Sequence, residues 1–232
     1  MTVSCSKPAI LIMTKVPKPG MVKTRLRPFL SDDQCSELSK CFLTDTIDKC
    51  LMVTPNVIVA YAAHGDEGSI FDLLPETVTC IKQNGKDLGE RLVSAIDFAE
   101  ANNCGPILVI GTDSPTIPLK AIRTAFRHLD SPETQMVLCG TEDGGYCLLG
   151  LKKNVPAIFQ DIPWSSERVY STTLKRADQA GLTGIVELLQ WYDVDTPNDL
   201  RRLYDEVEGG AHVSAIVPNT ARWIAANRNL FS

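Results

Sequence analysis

The segment "TKVPKPGMVKTRLRPFL" (residues 14–30) contains five lysine and arginine residues and no carboxylate, although the whole chain has a formal net charge of -5. Lys23 and Arg25 lie two residues apart and follow Gly20, which lets the backbone approach a ligand closely. Lysine offers a compact charge and arginine a planar fork of donors, and both suit phosphate oxygens. The segment therefore predicts a site for a phosphate-bearing nucleotide. A solvated basic loop that balances acidic neighbours would explain the same composition.

Two classes of nucleotide-binding protein are disfavoured by the same segment. The P-loop pattern GxxxxGK[ST] is absent, which counts against P-loop kinases. The GxGxxG turn is absent too, which counts against simple dehydrogenases. The predicted phosphate site therefore uses neither of these two glycine-rich arrangements.

Aspartates follow two of the apolar segments. "ILVIGTDSPTIP" (107–118) leads into Asp113, and "WYDVDTPNDL" (191–200) presents Asp193 and Asp195 before a helix start. Ligands of open α/β sheets bind beyond the carboxyl ends of strands, where carboxylate oxygens suit Mg²⁺ or Mn²⁺. We predict that Asp113 and Asp195 hold such a metal, with Asp193 the weaker candidate. "DSP" is also an ordinary turn, and Asp195 can simply stabilise the following helix.

The segment "GTEDGGYCLLGL" (140–151) joins two apolar runs through Asp143, Gly144 and Gly145. Asp-Gly is a strong hairpin signal. The paired glycines would equally give an acceptor molecule close access to the backbone, with Asp143 orienting the acceptor hydroxyl. The sequence leaves both interpretations open.

The elements that must position these residues are short apolar runs separated by helical patterns. The strand candidates are 9–13, 56–61, 77–82, 107–111, 136–140, 146–151 and 184–192. Near-continuous apolar runs are typical of strands covered on both faces by helices. The alternation predicts an α/β fold, a single-domain Rossmann-like sandwich whose mostly parallel central sheet is flanked by helices.

Capping patterns mark the starts of several helices. Ser31 and Gln34 form a capping box, and Asp87 begins a looser acidic variant. Thr196 and Pro197 are typical of an N-cap and a first helical residue. "EGGAH" (208–212) is a predicted hinge before a C-terminal helix. We therefore expect a main domain over 1–210 and a C-terminal helical extension over 211–232.

Composition limits the partners and the compartment. The eight cysteines are scattered without a CxxC pair, and no apolar run is long enough for a signal peptide or a membrane span. These features predict a reduced, cytoplasmic protein with no membrane partner. A pI near 5.3 argues against broad nucleic-acid binding.

These segments, in this order, resemble a small GT-A-type transferase family of the nucleotide-diphospho-sugar transferase superfamily. Its members are commonly labelled glycosyltransferases, and some are linked to arsenosugar biosynthesis. The resemblance runs from about residue 9 to 205 and rests on "KVPKPGMVKTRL", "QNGKDLGERL", "GTDSPTIP", "EDGGYCLLGL", "IPWSSERVYSTTL" and "DVDTPNDL". It implies a GT-A-like fold, Mg²⁺ or Mn²⁺ as cofactor, a nucleotide or nucleotide-sugar substrate and a small-molecule acceptor.

The resemblance also implies roles for individual residues. Phosphate contacts are expected from Lys15, Lys23 and Arg25, beside Gly20. The nucleotide side is expected to be lined by Gln83, Gly85, Asp87 and Arg91. The acceptor loop is expected over Asp143, Gly144, Gly145 and Tyr146. Asp113 would be the metal-binding aspartate in place of a DxD motif, with Asp195 as the second ligand. Trp164 to Ser166 would wall the acceptor pocket, although a buried Trp and a helix cap explain that stretch nearly as well.

The leading hypothesis is glycosyl transfer from a nucleotide-sugar donor, with Asp113, Lys23 and Asp143 as the catalytic residues and Asp143 as the base. The first alternative is nucleotidyl transfer, in which a nucleoside triphosphate and a phosphorylated small molecule give a nucleotide-diphospho product and pyrophosphate. The density of positive charge in the basic loop favours this alternative. A noncatalytic nucleotide-binding sensor is the alternative from another class.

Overall fold

Seven strands form one sheet in the computed structural model, which describes residues 6–63 and 68–231; Cys5 therefore lies outside the described residues. The strands are β1 (Lys7–Lys15), β2 (Val57–Ala62), β3 (Thr79–Lys82), β4 (Cys104–Gly111), β5 (Met136–Gly140), β6 (Tyr146–Leu151) and β7 (Ile185–Glu187). Their spatial order is β3-β2-β1-β4-β6-β5-β7. Strand β6 is antiparallel to both neighbours, and the other pairs are parallel.

All seven predicted strands are present, and the last is much shorter than the apolar run suggested. Strand β7 ends at Glu187, whereas the run continued to Tyr192. Its neighbour β5 ends at Gly140, so beyond that residue only the isolated bridge between Thr141 and Trp191 continues the pairing. The residues that follow leave the sheet and lead toward Asp195.

Helices cover the sheet between the strands. They are α1 (Asp32–Leu51), α2 (Gly68–Phe71), α3 (Leu88–Ala101), α4 (Leu119–Asp130), α5 (Val169–Gln179), α6 (Pro197–Gly209), α7 (Ala211–Ile216) and α8 (Pro218–Ala226). The predicted caps are confirmed. Ser31 forms its capping box with Gln34, and Asp87 accepts a hydrogen bond from the backbone of Glu90. Thr196 caps α6, which begins at Pro197.

Two apolar layers cover the two faces of the sheet. On one face, α1 and α4 pack residues such as Ile47 and Ile122 against the strands. On the other face, α3 and α5 contribute Ile96 and Ala177. Because both faces are covered, the central strand β1 is fully buried from Ala9 to Ile12. The predicted α/β sandwich with a mostly parallel sheet is thus confirmed.

The C-terminal helices form a third apolar layer against the outside of α1. This cluster joins Phe42 of α1 with Leu203 of α6 and with Trp223 and Ile224 of α8. The predicted C-terminal helix is therefore present and packs against the main fold. Across 6–63 and 68–231, every helix is too short or too polar to cross a bilayer.

Candidate functional site

Three side chains from distant parts of the sequence meet where the parallel strands end. Asp113 follows β4, Lys23 lies in the loop after β1, and Asp195 immediately precedes α6. The Nζ atom of Lys23 contacts Asp113 Oδ1 directly and lies 3.2 Å from Asp195 Oδ1. The predicted basic loop and both predicted metal-binding aspartates are thus brought to one point at the carboxyl edge of the sheet.

The ammonium of Lys23 is buried and saturated with acceptors. Its side chain is only 5% exposed, and Nζ donates to Val194 O at 2.8 Å as well as to the two carboxylates. The ring of Phe42 lies beneath it, with 5.3 Å from Nζ to the ring centroid. Burial by itself lowers the pKa of Lys23, but attraction by Asp113 and then Asp195 outweighs it, so the pKa is raised.

Lys23 therefore holds the two carboxylates together in this structure. An ammonium has three protons, and Lys23 has three acceptors around it. A direct contact between Lys23 and phosphate requires one of these acceptors to be given up. The backbone of Lys23 is left-handed, with φ 49 and ψ 36, which turns the chain so that this side chain points inward while Arg25 points outward.

The outer cations of the basic loop remain accessible. The Arg25 side chain is 67% exposed, and its NH1 atom lies 3.6 Å from Asp195 Oδ2. Lys15 is exposed at the end of β1. Gly20 has a φ of +79, and its carbonyl accepts a hydrogen bond of 2.7 Å from Arg27. Arg27 is fixed in turn by Asp32, at 2.8 Å, so the turn around Gly20 is tied to the start of α1.

The aspartates have the donor chemistry that a hard divalent cation needs. Carboxylate oxygens of Asp113 and Asp195 converge on a single positive charge, and the Asp113 side chain is 52% exposed to solvent. Oxygen ligands with access to water are what Mg²⁺ and Mn²⁺ prefer. Among the described residues, there is no group of three or more His, Cys, Asp or Glu side chains placed to hold a metal. The two carboxylates thus fit a cation that takes its other ligands from phosphate and water.

Asp193 supports the loop that carries Asp113. Its carboxylate accepts a hydrogen bond from Ser114 Oγ, and the amide of Val194 donates to Asp113 O at 2.8 Å. Burial, opposed by the hydrogen bond from Ser114 and the charge of Lys23 and assisted by the charges of Asp113 and Asp143, raises the pKa of Asp193 to about 7. Sequence reasoning placed Asp193 among the weaker metal candidates and missed Ser114. Ser114 follows Asp113 directly and is buried, but no periodic pattern in the sequence identifies it as a partner of Asp193.

The residues expected on the nucleotide side form a single turn after β3. Gln83 Nε2 donates to Thr14 O at 3.1 Å and to Ala60 O at 2.9 Å, so its amide links β1 to β2. Arg91 Nε donates to Gly85 O at 3.1 Å. Asp87 caps α3. These hydrogen bonds lie at the same edge of the sheet as Asp113. Contact of these residues with a nucleotide stays a prediction.

The predicted acceptor loop is also a hairpin. Residues 141–145 connect the antiparallel strands β5 and β6, as the Asp-Gly signal indicated. Asp143 Oδ1 accepts hydrogen bonds from Thr141 Oγ1 at 2.6 Å and from Gly145 N at 3.1 Å. Asp143 itself is exposed, so its carboxylate remains open to solvent. The two sequence interpretations, hairpin and acceptor loop, are compatible in this geometry.

Two residues expected on the acceptor side, Tyr146 and Trp164, pack against the apolar layer that α5 covers. The Tyr146 ring packs into the apolar layer beneath α5, and burial raises the pKa of its hydroxyl. Trp164 packs against the same layer. Ser166 Oγ donates to Pro163 O at 2.7 Å and accepts from Arg168 N at 3.3 Å just before α5. Trp164 is thus packed as the simpler explanation of "PWSS" expected, but the helix-cap part of that explanation is wrong, because the N-cap of α5 is Arg168 and no side chain caps it. Ser166 instead closes the turn before α5.

Comparison with known proteins gives the family context. A family profile described as "Uncharacterized protein conserved in bacteria (DUF2064)" matches residues 46–166, just over half of the chain. A protein from Desulfovibrio desulfuricans G20, provisionally described as a nucleotide-diphospho-sugar transferase, is 27% identical over 97% of both chains, with a TM-score of 0.88.

More distant structures share the fold alone. A cytidylyltransferase from Leptospira borgpetersenii is 14% identical over 97% of both chains, with a TM-score of 0.57. A 4-diphosphocytidyl-2C-methyl-D-erythritol synthase from Anaerococcus prevotii is 11% identical over 86% of this chain and 96% of the other, with a TM-score of 0.56. The expected resemblance to the nucleotide-diphospho-sugar transferase superfamily is confirmed.

Proposed function

This chain belongs to the DUF2064 family and is a nucleotide-using transferase, and we propose that the group it transfers is a glycosyl group. The donor is a nucleotide sugar, the acceptor is a small molecule, and a divalent metal assists the reaction. The observation that carries the proposal is the meeting of Asp113, Asp195 and Lys23 at the carboxyl edge of the sheet. Two partly exposed carboxylates beside exposed cations suit a metal-bound diphosphate.

The chain's own residues supply binding and orientation. Asp113 and Asp195 hold Mg²⁺ or Mn²⁺, which when bound supplies Lewis-acid stabilisation of diphosphate oxygens. Lys23 keeps the two carboxylates at one point and balances their charge. Arg25 and Lys15 lie exposed on the same side and neutralise the charge that develops on the leaving nucleotide.

The acceptor side is assigned to the hairpin loop. Asp143 is exposed and has a carboxylate already oriented by Thr141 and the Gly145 amide. A carboxylate held in this way is suited to accept the proton of an acceptor hydroxyl.

Nucleotidyl transfer is the second candidate, and a specific observation favours it. The loop of residues 14–30 carries five cations, more than a diphosphate requires and suitable for a triphosphate and its pyrophosphate product. The site residues would be the same.

Thermal unfolding with Mn²⁺ and either nucleotide sugars or nucleoside triphosphates tests the proposal. A ligand at about 100 times its dissociation constant adds about 2.7 kcal/mol to the unfolding free energy. Product analysis then separates the reactions, because glycosyl transfer releases a nucleoside diphosphate and nucleotidyl transfer releases pyrophosphate. Binding without either product across a broad acceptor panel would contradict both and leave a noncatalytic sensor.

The Asp113→Ala variant tests the site itself. We expect it to lose metal-dependent nucleotide binding while it keeps a cooperative unfolding transition, because the buried Lys23 ammonium retains Asp195 and Val194 O as acceptors. Asp130→Ala is the matched control, since Asp130 is exposed at the far end of α4. Equal nucleotide affinity in Asp113→Ala and wild type would remove Asp113 from the site.

A further inference from the structure

A second buried lysine lies beneath the loop that carries Asp113. Lys49 is in α1 and is only 3% exposed. Its Nζ atom donates to Pro115 O and, at 2.9 Å, to Ile117 O. Both carbonyls belong to the loop of residues 112–118 that joins β4 to α4. The ammonium is thus surrounded by backbone oxygens of this one loop.

A buried ammonium destabilises the folded state unless hydrogen-bond acceptors compensate for its lost hydration. Moving a charged group out of water carries a penalty of several kcal/mol. Burial lowers the pKa of Lys49 to about 8, and the nearby carboxylate of Asp45 opposes that shift. What Lys49 gains is a pair of strong hydrogen bonds to carbonyls, because a charged donor binds more strongly than a neutral one.

The loop is buried at Thr112, Ser114, Thr116 and Ile117, and several of its other hydrogen bonds to distant segments come from residues 191–194. Asp113 O accepts from the Val194 amide at 2.8 Å, and Ser114 contacts Asp193. Thr116 Oγ1 accepts from Trp191 Nε1 at 3.2 Å. These contacts all come from residues 191–194 on one side. Lys49 supplies contacts from a different element, α1, at two and four residues beyond Asp113.

We propose that Lys49 is a positioning residue of the transferase site, whose ammonium fixes the loop of residues 112–118 so that Asp113 meets Lys23 and Asp195. The proposal rests on the proposed function for the identity of the site, but the shape of the loop can be measured without any substrate. Lys49 touches neither the expected metal nor the expected nucleotide. It acts through the backbone that holds Asp113.

Amide-resolved hydrogen exchange of Lys49→Met tests the effect on the loop. The informative amides are those of Ile117, which donates to Ser114 O, and Val194, which donates to Asp113 O. We expect both to exchange about tenfold faster in Lys49→Met than in wild type, because local opening no longer breaks two charged hydrogen bonds. Amides at the centre of β1 should keep their protection relative to global unfolding.

Ile47→Val is the matched control. Ile47 is buried two residues earlier on the same helix and packs in the sheet-facing layer, so its truncation weakens the fold without removing a hydrogen bond to the loop. If Lys49→Met changes the Ile117 and Val194 amides no more than Ile47→Val does, the proposal is overturned.

Binding of Mn²⁺ alone, followed by the electron paramagnetic resonance of the free ion, gives a second readout. Displacing groups that orient metal ligands costs about 10- to 100-fold in metal affinity. We expect a loss of that order in Lys49→Met and near wild-type affinity in Ile47→Val; equal affinities would count against Lys49. If wild type itself binds no Mn²⁺, the proposed function fails, and the exchange measurement still decides whether Lys49 shapes the loop.

Discussion

At the scale of single residues, the site depends on the burial of one cation between two anions. Lys23 is nearly inaccessible, whereas Asp113 and Asp195 keep access to water. In the proposed function a divalent ion would bind the same pair of carboxylates, so it would compensate in part for loss of the Lys23 ammonium. The contribution of each cation to the unfolding free energy can therefore be measured.

The Lys23→Met variant tests this balance. We expect its unfolding free energy to fall by about 2 kcal/mol, because Val194 O loses its donor and the two carboxylates lose their shared counter-charge. Added Mn²⁺ should restore more stability to this variant than to wild type in urea titrations.

Lys15→Met is the matched control for Lys23→Met. It removes an exposed cation from the same part of the chain and should change the unfolding free energy by less than about 0.5 kcal/mol. Equal effects of the two substitutions would show that the buried ammonium has no special role.

Asp193 makes stability depend on pH. Its folded-state pKa of about 7 lies above its usual 3.8, because it is buried. Between these values the folded state keeps a proton that the unfolded state has released, so this group's contribution to stability is lost as pH rises toward 7.

In metal-free urea titrations, the unfolding free energy of Asp193→Asn should rise by about 3 kcal/mol relative to that of wild type between pH 4 and 7. Parallel pH profiles for the two proteins would contradict the assignment, and Asp130→Asn controls for general charge effects.

At the scale of elements, the hairpin loop between β5 and β6 depends on close backbone packing. Gly144 has a φ of +87, and a Cβ there would lie 2.1 Å from Glu167 O, just before α5. The amide of Tyr170 donates to Gly144 O at 2.8 Å. The candidate acceptor loop is thus fixed against α5, which a side chain at Gly144 would prevent.

The Gly144→Ala variant tests this packing against a matched glycine. We expect a loss of about 3 kcal/mol or more, because the new methyl group both clashes and strains the backbone. Gly181→Ala also has a positive φ, +77, but nothing lies within 4 Å of its would-be Cβ. It should cost only about 1 kcal/mol in the same urea titrations. Equal costs would mean that the contact with Glu167 does not constrain the loop.

At the scale of the whole molecule, α1 connects the C-terminal helices to the sheet. Asp45 of α1 is fully buried and accepts hydrogen bonds from Asn219 N, Asn219 Nδ2 and Thr220 N at 2.8–2.9 Å. The negative carboxylate is well placed for the start of α8. We therefore propose that residues 211–231 unfold together with the main fold.

The Asp45→Ala variant tests this coupling. We expect the unfolding free energy to fall by about 3 kcal/mol in a single transition, because the backbone amides of Asn219 and Thr220 lose a buried charged acceptor. Asp48→Ala is the control, since Asp48 is exposed on the same helix. A separate early transition of the C-terminal helices in calorimetry would contradict the coupling.

The sequence by itself determined the local elements. Apolar runs gave the positions of all seven strands, and the caps at Ser31, Asp87 and Thr196 gave the starts of three helices. These signals are legible because strand burial and capping depend on residues close together in the chain. The order of segments also predicted the superfamily, and the position after β4 predicted that Asp113 lies at the functional edge of the sheet.

Only the tertiary structure decided which contacts each charged side chain makes. Lys23 was predicted as a phosphate contact, and in the fold it is buried between two carboxylates supplied by residues about 90 and 170 positions later. Lys49 carried no signal in the sequence, because its partners are backbone carbonyls of a distant loop. The pairing of buried charges depends on which segments meet in space, and that is set by packing of the whole chain.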